Sequence, residues 1–352
     1  MSLPPPTAEF QIRFLQDLQR ILEEGQFTAT YKFALIHALA DLSVQRGDDS
    51  GDSLRLPVRS ITERMVELYW RQVKPWQTKE AARVLVQNTG GTAAVVEWVR
   101  EARAKYSDRL DLVRREGRPW SRLLSRVNGT VRRDPLKRLQ SVGGSPHVFL
   151  YEPEPEGRGA DAFITLRPGV AFCFRTFHPL VTDLVQSAWV RFVRRFNSEL
   201  LGETQELGEF LFGAPRAAMS ALREPLREVQ QDLCFYCAKR LGDRCHVDHF
   251  IPWSRYPLDL GHNFVLAHDR CNGDKADHLA AVQHLSRWAT RNREQGYHLG
   301  LVFEEAGFMH DLSVSTRITR WAYAQVGQRG GRVWHRGSVL EPLGSNWESF
   351  LG

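Results

Sequence analysis

The sequence lacks the long apolar runs that a membrane span requires. No stretch reaches 18 consecutive apolar residues, so we predict no membrane-spanning helix. Residues 1–6 contain no basic segment followed by an apolar one, which predicts that the chain has no secretory signal and stays in the cytoplasm. The chain also contains no internal repeat.

Cysteine is scarce, with five residues in a chain of 352. Four of the five lie within 38 residues of one another, among several histidines: Cys234, Cys237, Cys245 and Cys271. In a chain without a secretory signal, this clustering favours metal binding over disulfide bonds. Cys173 lies apart in an apolar run and is predicted to be a buried core thiol.

The composition is that of a globular protein with a basic surplus. The chain is 42% hydrophobic and 25% charged, and its length allows two or three domains with ordinary cores. The formal net charge is +6, and the isoelectric point is about 9.2. A basic balance favours polyanionic partners such as nucleic acids, although many basic proteins bind none.

The first 140 residues show helical periodicity. Phe10, Phe14, Leu18 and Leu22 recur at steps of four, which predicts one buried face of a helix. Further helices are predicted from residue 30 and over residues 58–73. We interpret residues 1–140 as a helical region that could recognise a target or a partner.

The character of the sequence changes after residue 145. Residues 147–151, 161–166 and 170–175 predict three strands of a small antiparallel sheet, and residues 179–201 predict a long helix. The predicted fold class is therefore α+β, with a mainly helical N-terminal region and a small antiparallel sheet. We divide the chain into four segments: residues 1–140, residues 141–230 with the sheet and long helices, a metal-binding domain at 231–285, and C-terminal helices with a basic tail at 286–352.

Two spaced pairs of residues predict a zinc site. Cys234 and Cys237 form one CxxC pair, and His268 and Cys271 form an HxxC pair, with 30 residues between the pairs. Each pair can hold one side of a tetrahedral Zn²⁺, and four protein ligands leave no position for a reacting water. We therefore predict a structural zinc ion, against the alternative of unmetallated surface cysteines. Cys245 lies outside both pairs and is interpreted as a plain core or surface thiol.

A second set of residues suits a hard cation. Asp248 and His249 follow a predicted strand at residues 244–247, a partner strand is predicted at 264–267, and a helix is predicted from Asp269. This order gives a ββα unit. Asp248 and Asn272 offer oxygen ligands of the kind that Mg²⁺ or Mn²⁺ takes. His249 is placed to take a proton from water as a neutral imidazole.

The segment resembles the HNH endonuclease family. That family's pattern combines a CxxC pair, a DH dipeptide followed by an apolar-x-P segment, a central Asn, and a second pair that continues into C-N-x-x-K. The matching residues are Cys234 and Cys237, Asp248 to Pro252, Asn263, and His268 to Lys275. The match covers about 45 residues, and its one departure is His268, where many relatives have cysteine.

The resemblance implies roles for individual residues. His249 corresponds to the general base, and Asp248 and Asn272 to the ligands of one metal ion. Asn263 corresponds to a residue that fixes the loop, and Lys275 to a phosphate contact. The resemblance also implies a zinc-stabilised ββα-metal nuclease domain. The neighbouring histidines are interpreted as solvated or structural: His246, His262 and His278.

Basic residues concentrate in two stretches. Residues 114–138 contain nine basic residues against two acidic ones, and the arginines proposed to contact nucleic acid are Arg118, Arg122, Arg126, Arg132 and Arg133. The first three fall on one helical face near Trp120, a pattern that suits phosphate binding or simply a solvated helix. Residues 329–336, with Trp334, are interpreted as a second, flexible basic segment.

The leading hypothesis is a metal-dependent DNA endonuclease of restriction or anti-phage defence. About 230 residues precede the nuclease segment, and these would select the target or dock to a defence partner protein. Two alternatives stay open: a catalytically silent, zinc-stabilised DNA-binding or scaffold protein, and a toxin nuclease without sequence preference. The intact Asp248, His249 and Asn272 argue against the silent form. One such site cuts one strand, so a double-strand break would need a dimer or two independent nicks, and the oligomeric state stays open.

Overall fold

The computed structural model describes residues 2–78, 82–91, 93–106, 108–202, 206–213 and 218–351. The chain forms two compact units, an N-terminal unit (Met1–Gly213) and a C-terminal unit (Ala214–Gly352). The predicted segment boundaries at residues 140 and 285 fall inside these units, because elements on both sides of each boundary share one core. None of the described helices is long and apolar enough to cross a membrane.

The N-terminal unit is built mainly from helices. Its described helices are α1 (Ala8–Glu24), α2 (Tyr31–Arg46), α3 (Val58–Gln72), α4 (Ala94–Lys105), α5 (Leu110–Arg115), α6 (Gly117–Arg133), α7 (Pro135–Arg138), α8 (Val170–Thr176), α9 (His178–Phe196), α10 (Ser198–Leu201) and α11 (Leu207–Phe212). Its short strands are β1 (Leu54–Pro57), β2 (Trp76–Gln77), β3 (Ala82–Arg83), β4 (Ser141–Val142), β5 (Ser145–Pro146) and β6 (Phe163–Leu166).

Helix α2 forms the centre of this unit. Nearly all of its residues are buried, and it packs against α3, α8 and α9. A helix that is buried on every side is stable only when other elements surround it. Helix α1 is amphipathic by contrast, and the Thr7 side chain caps it by accepting a hydrogen bond from the Phe10 amide at 3.3 Å.

A charged cluster lies inside this helical core. The fully buried carboxylate of Asp41 accepts a hydrogen bond from Arg64 Nε at 2.6 Å and lies 2.8 Å from His178 Nε2 and 3.0 Å from His37 Nδ1. Burial alone would raise the pKa of Asp41, but Arg64 and the histidines outweigh burial and hold that pKa well below its ordinary value. Burial lowers the pKa of His178.

The small antiparallel sheet differs from the prediction. Strand β6 pairs with β1, so that Leu166 faces Leu54 across more than a hundred residues of chain. The prediction of a strand at residues 170–175 is wrong, because this apolar run forms α8 and packs against α2. A short apolar run fits a buried helix as well as a buried strand. Residues 147–151 form no regular strand, and only Tyr151 bridges to Leu166.

The C-terminal unit contains a second, separate core. Its described elements are α12 (Arg223–Val229), β7 (Cys245–His249), β8 (Phe264–His268), α13 (Asp269–Lys275), α14 (Val282–Glu305), α15 (Leu312–Gln328), β9 (Arg332–Arg336) and β10 (Val339–Pro342). Helix α14 supports the β7–β8 hairpin. Trp288 Nε1 donates to the His262 carbonyl at 2.9 Å, and the Arg291 guanidinium donates to the carbonyls of His262 and Phe264.

The second basic stretch is ordered. We predicted a flexible segment at residues 329–336, but β9 and β10 form a hairpin there. Trp334 is 2% exposed, and its ring centroid lies 5.1 Å from that of Tyr236. The tryptophan therefore belongs to the core of the C-terminal unit and is not available to contact nucleic acid.

Candidate active site

The predicted ββα unit forms at β7, β8 and α13. Antiparallel pairing sets Asp248 opposite Val265 and His249 opposite Phe264. The strand extends to residue 249, beyond the predicted end at 247, so both Asp248 and His249 lie within β7. Helix α13 begins directly after β8 and ends at Lys275, and the next residue, Ala276, adopts a left-handed φ of 44°.

The four predicted zinc ligands lie together. One potential ligand atom from each of Cys234, Cys237, His268 and Cys271 lies within 4.8 Å of the others. His268 Nε2 lies 2.9 Å from the Arg240 carbonyl, and Nδ1 faces the thiols, at 3.3 Å from Cys237 Sγ. A ring nitrogen that donates to a carbonyl leaves the other one free to bind a metal. This geometry fits a tetrahedral Zn²⁺.

The thiols also compete for protons. Burial opposes ionisation of Cys237, but hydrogen bonds from the Lys239 backbone and from the neighbouring side chains outweigh it and lower the pKa of Cys237. Burial and the charges of the other thiols raise the pKa of Cys271 to about 12. The two directions differ because ionisation of one thiol disfavours ionisation of the next, and a bound cation is the usual means of holding several thiolates together.

Asp248 is held by two buried side chains. Its Oδ2 accepts a hydrogen bond from the Tyr236 hydroxyl at 2.5 Å and lies 3.0 Å from Lys275 Nζ. Burial and the nearby carboxylate raise the pKa of Tyr236 well above its ordinary value, so the phenol stays protonated and donates. No sequence pattern pointed to Tyr236, which lies between the two cysteines of the CxxC pair.

Lys275 does not take the role that the resemblance implied. Its side chain is 0% exposed, and Nζ donates to the His249 carbonyl at 3.0 Å in addition to pairing with Asp248. An ammonium group enclosed in this way cannot reach a phosphate, so the predicted phosphate contact is corrected to a buried charge partner of Asp248. Lys275 also donates to the backbone of β7 and thereby joins α13 to that strand.

His249 has a carboxylate partner that sequence reasoning missed. Its Nε2 lies 2.9 Å from Asp259 Oδ1, and its ring packs between Trp253 and Phe264 at centroid distances of 5.4 and 5.0 Å. When Nε2–H donates to the carboxylate, Nδ1 is the atom that can accept a proton. Asp259 lies in the loop between β7 and β8, where no spacing rule connects it to His249.

The two asparagines occupy different positions. Asn263 Oδ1 accepts from the Ile251 amide at 2.8 Å and its Nδ2 donates to the Ile251 carbonyl at 3.0 Å, so this side chain fixes the two ends of the β7–β8 loop. Asn272 is half-buried on α13 and directly follows Cys271 in the chain. A zinc ion at Cys271 would therefore help to position Asn272.

The two carboxylate oxygens of Asp248 differ in their protein contacts. Asp248 Oδ2 carries both short contacts, whereas the contact between Oδ1 and Lys275 Nζ is longer, at 3.4 Å. Asp248 Oδ1 and the Asn272 amide oxygen are of the chemical type that Mg²⁺ or Mn²⁺ binds. The ion's other coordination positions would be left to water and phosphate oxygens.

The three neighbouring histidines and Cys245 are not among the proposed metal ligands. His246 is exposed and 3.3 Å from Asp269, and His278 is exposed. His262 is buried and bonded to the Gly296 carbonyl at 3.0 Å. Cys245 is buried, and Arg227 Nη2 lies 3.2 Å from its sulfur.

The predicted nucleic-acid residues lie on α6 of the N-terminal unit. Arg118, Arg122, Arg126 and Arg133 are exposed, and Arg132 is half-buried. Trp120, which we grouped with them, is instead 7% exposed and lies beneath the Arg114 guanidinium.

Two family models match the chain. Residues 234–278 match the model of the HNH endonuclease, and residues 11–209, more than half of the chain, match the model described as Domain of unknown function (DUF8808). No curated protein and no solved structure matches the chain. The predicted HNH resemblance and the predicted α+β fold class are confirmed. The chain belongs to the DUF8808 family and carries an HNH endonuclease domain at residues 234–278.

Proposed function

We propose that the protein is a metal-dependent DNA endonuclease in which His249 is the general base. The observation that carries this proposal is the 2.9 Å contact between Asp259 and Nε2 of His249, a residue on the same strand as Asp248. It fixes the orientation of the imidazole on the strand that also carries Asp248.

His249 performs the proton transfer in this proposal. Its Nδ1 takes a proton from the attacking water, which is typically worth ~10²–10⁴-fold in rate. Asp259 accepts the Nε2–H hydrogen bond and stabilises the imidazolium that results. The resulting hydroxide bonds to phosphorus as the P–O3′ bond breaks, and the leaving 3′ oxygen takes a proton from solvent, so the products carry a 5′ phosphate and a 3′ hydroxyl.

Asp248 and Asn272 would hold the catalytic Mg²⁺ or Mn²⁺. When bound, such an ion supplies positive charge to the scissile phosphate and the leaving oxygen. Tyr236 and Lys275 hold the Asp248 carboxylate in one orientation, and Asn263 keeps the loop after His249 closed. Cys234, Cys237, His268 and Cys271 would hold a structural zinc ion that fixes α13 against the hairpin.

We assign the biological role to restriction or anti-phage defence in the cytoplasm. In support, the nuclease domain occupies a small part of the chain, whereas the DUF8808 match alone covers residues 11–209. That region would select the DNA target or dock to a defence partner protein. One active site cuts one strand, so a double-strand break would need a dimer or two separate nicks.

Nicking of supercoiled plasmid in Mg²⁺ or Mn²⁺ tests the assignment. We expect His249→Ala to abolish nicking while the circular dichroism spectrum stays that of the wild type. His246→Ala is the matched control, because this histidine is exposed and lies three residues earlier on the same strand. Nicking by His249→Ala at the wild-type rate would refute the general-base role.

The buried ion pair between Lys275 and Asp248 favours a second candidate, a catalytically silent DNA-binding or scaffold protein. Lys275 already neutralises the carboxylate that a metal ion would need. The same nicking assay separates the two candidates. A zinc-loaded wild-type protein that binds DNA but nicks none in either metal would support the silent form.

A further inference from the structure

A groove on the N-terminal unit lies between α4 and α6. It has a volume of about 260 Å³. Its aromatic and basic lining residues are Trp98, Lys105, Tyr106, Arg118, Arg122 and Arg126. Flat aromatic surfaces beside clustered cations are the combination that proteins use to bind nucleic-acid strands without base pairing.

Positive charge is left unmatched at this groove. Most arginines near α4 and α5 are paired with acids: Arg100 with Glu97, Arg103 with Asp108, and Arg109 with Asp111. In the part of the chain that the structure describes, no acidic side chain lies within 4.0 Å of the exposed Arg118 or Arg122 guanidinium. Arg126 is 3.7 Å from Glu101. The groove therefore attracts anions.

The spacing of these arginines suits an extended polyanion. Residues four apart on a helix are separated by about 6 Å along its axis, and Arg118, Arg122 and Arg126 follow one another in this way. A nucleic-acid strand carries one phosphate per nucleotide, so one strand laid along α6 could contact all three.

The volume of the groove also suits one flat ring system such as a nucleic-acid base. Pockets for drug-sized ligands begin at roughly 300 Å³, so this groove suits a single base better than a larger ligand. Trp98 is half-buried on one wall, and the Arg126 guanidinium lies 5.9 Å from its ring centroid. The indole therefore presents a π surface next to a cation. A base inside a duplex could not enter such a groove without leaving its stack.

We propose that the groove between α4 and α6 binds an unpaired nucleotide of a DNA strand, with its base against Trp98 and the flanking phosphates on Arg118 and Arg122. This proposal rests on the proposed endonuclease function, for which it supplies a substrate-binding site outside the HNH domain. It also replaces the predicted Trp120 by Trp98 as the aromatic partner of the arginine row.

Fluorescence anisotropy with a labelled 20-nucleotide single strand, and with the duplex of the same sequence, tests the proposal. The protein is the full chain with His249→Ala, so that cleavage does not interfere. Adding Arg118→Gln and Arg122→Gln should weaken single-strand binding at least tenfold. It should also reduce the slope of log K against log salt by about 1.4, since each lost phosphate contact contributes about 0.7.

Trp98 provides an independent arm. Trp98→Ala should weaken single-strand binding about 5- to 150-fold, the range expected for loss of one stacked base, while the salt slope stays unchanged. Trp98→Phe should restore most of the affinity. The matched control for charge is Arg20→Gln with Arg59→Gln, which removes two exposed arginines outside the groove. Thermal melting of every variant identifies any that fail to fold.

Several results would overturn the groove assignment. The first two are an unchanged single-strand affinity in the Arg118/Arg122 variant and an equal loss of affinity in the Arg20/Arg59 control. The other two are a loss of affinity in the Arg118/Arg122 variant for the duplex but not for the single strand, and tighter binding of a free deoxynucleotide than of the single strand. Failure of the endonuclease proposal is distinguishable. A wild-type protein that binds the strand through the groove but nicks no plasmid overturns only the catalytic assignment.

Discussion

Replacing Lys275 with methionine removes the positive charge beneath Asp248 and keeps an unbranched side chain of similar length. The two groups lie 3.0 Å apart, and their side chains are 0% and 10% exposed. At an effective dielectric constant of ~20, two charges at this distance attract by about 5 kcal/mol. Breaking a buried ion pair by removing one partner typically costs about 3–5 kcal/mol. We therefore expect Lys275→Met to lower the free energy of unfolding by about 3–5 kcal/mol.

Urea denaturation followed by tryptophan fluorescence measures this loss, and a zinc-sensitive dye marks the transition of the unit that holds the four-ligand cluster. Asp248→Asn in the Lys275→Met background is the control, because it removes the uncompensated carboxylate. The double variant should recover part of the stability, and the double-mutant cycle then isolates the pair. Mn²⁺ should also stabilise Lys275→Met more than the wild type, since Asp248 has lost its competing cation.

A loss below about 1 kcal/mol, the value of an exposed pair, would contradict the reasoning. It would mean that Asp248 is solvated in solution and that Lys275 does not neutralise it. An equal loss in the single and double variants would instead assign the effect to packing of the lysine side chain.

Three further predictions follow from the two units. Asp259→Asn should slow plasmid nicking about 10- to 100-fold by releasing the orientation of His249, and an unchanged rate would remove Asp259 from the site. Cys237→Ala should release zinc and lower the melting temperature of the C-terminal unit, measured by metal analysis and calorimetry; a stable, active, zinc-free variant would contradict the structural-zinc assignment. The N-terminal unit should lose stability as the pH falls below about 6.5, because His178 binds a proton in the unfolded chain before it does so in the fold, where burial lowers its pKa. The loss should continue below about pH 4, where Asp41 is protonated in the unfolded chain but stays ionised in the fold because its pKa there is depressed. Melting temperatures from pH 8 to about pH 2 test this, and His178→Gln should flatten the upper part of the profile.

The sequence by itself was sufficient to locate the HNH segment and the four possible zinc ligands. Both zinc-ligand pairs, the Asp248–His249 dipeptide, Asn263 and Asn272 fall within 45 residues and keep their spacing whatever surrounds them. Ligand spacing of this kind depends on short-range geometry, so it can be recognised before any tertiary contact is known. The periodicity also predicted helix α1, but of its four predicted face residues only Phe14 and Leu18 are buried, and Phe10 is 38% exposed.

Only the tertiary structure decided which way the side chains face and what they contact. Lys275 lies within the recognised motif, yet packing buries its ammonium group against Asp248 and excludes phosphate. Asp259 reaches His249 only because the loop folds back, and Trp98 joins the α6 arginines from another helix. The pairing of β1 with β6 likewise joins distant segments. Sequence spacing shows which residue types lie near one another along the chain. The burial of a side chain and the groups that it contacts depend on packing between segments that are distant in sequence, and local patterns do not connect such segments.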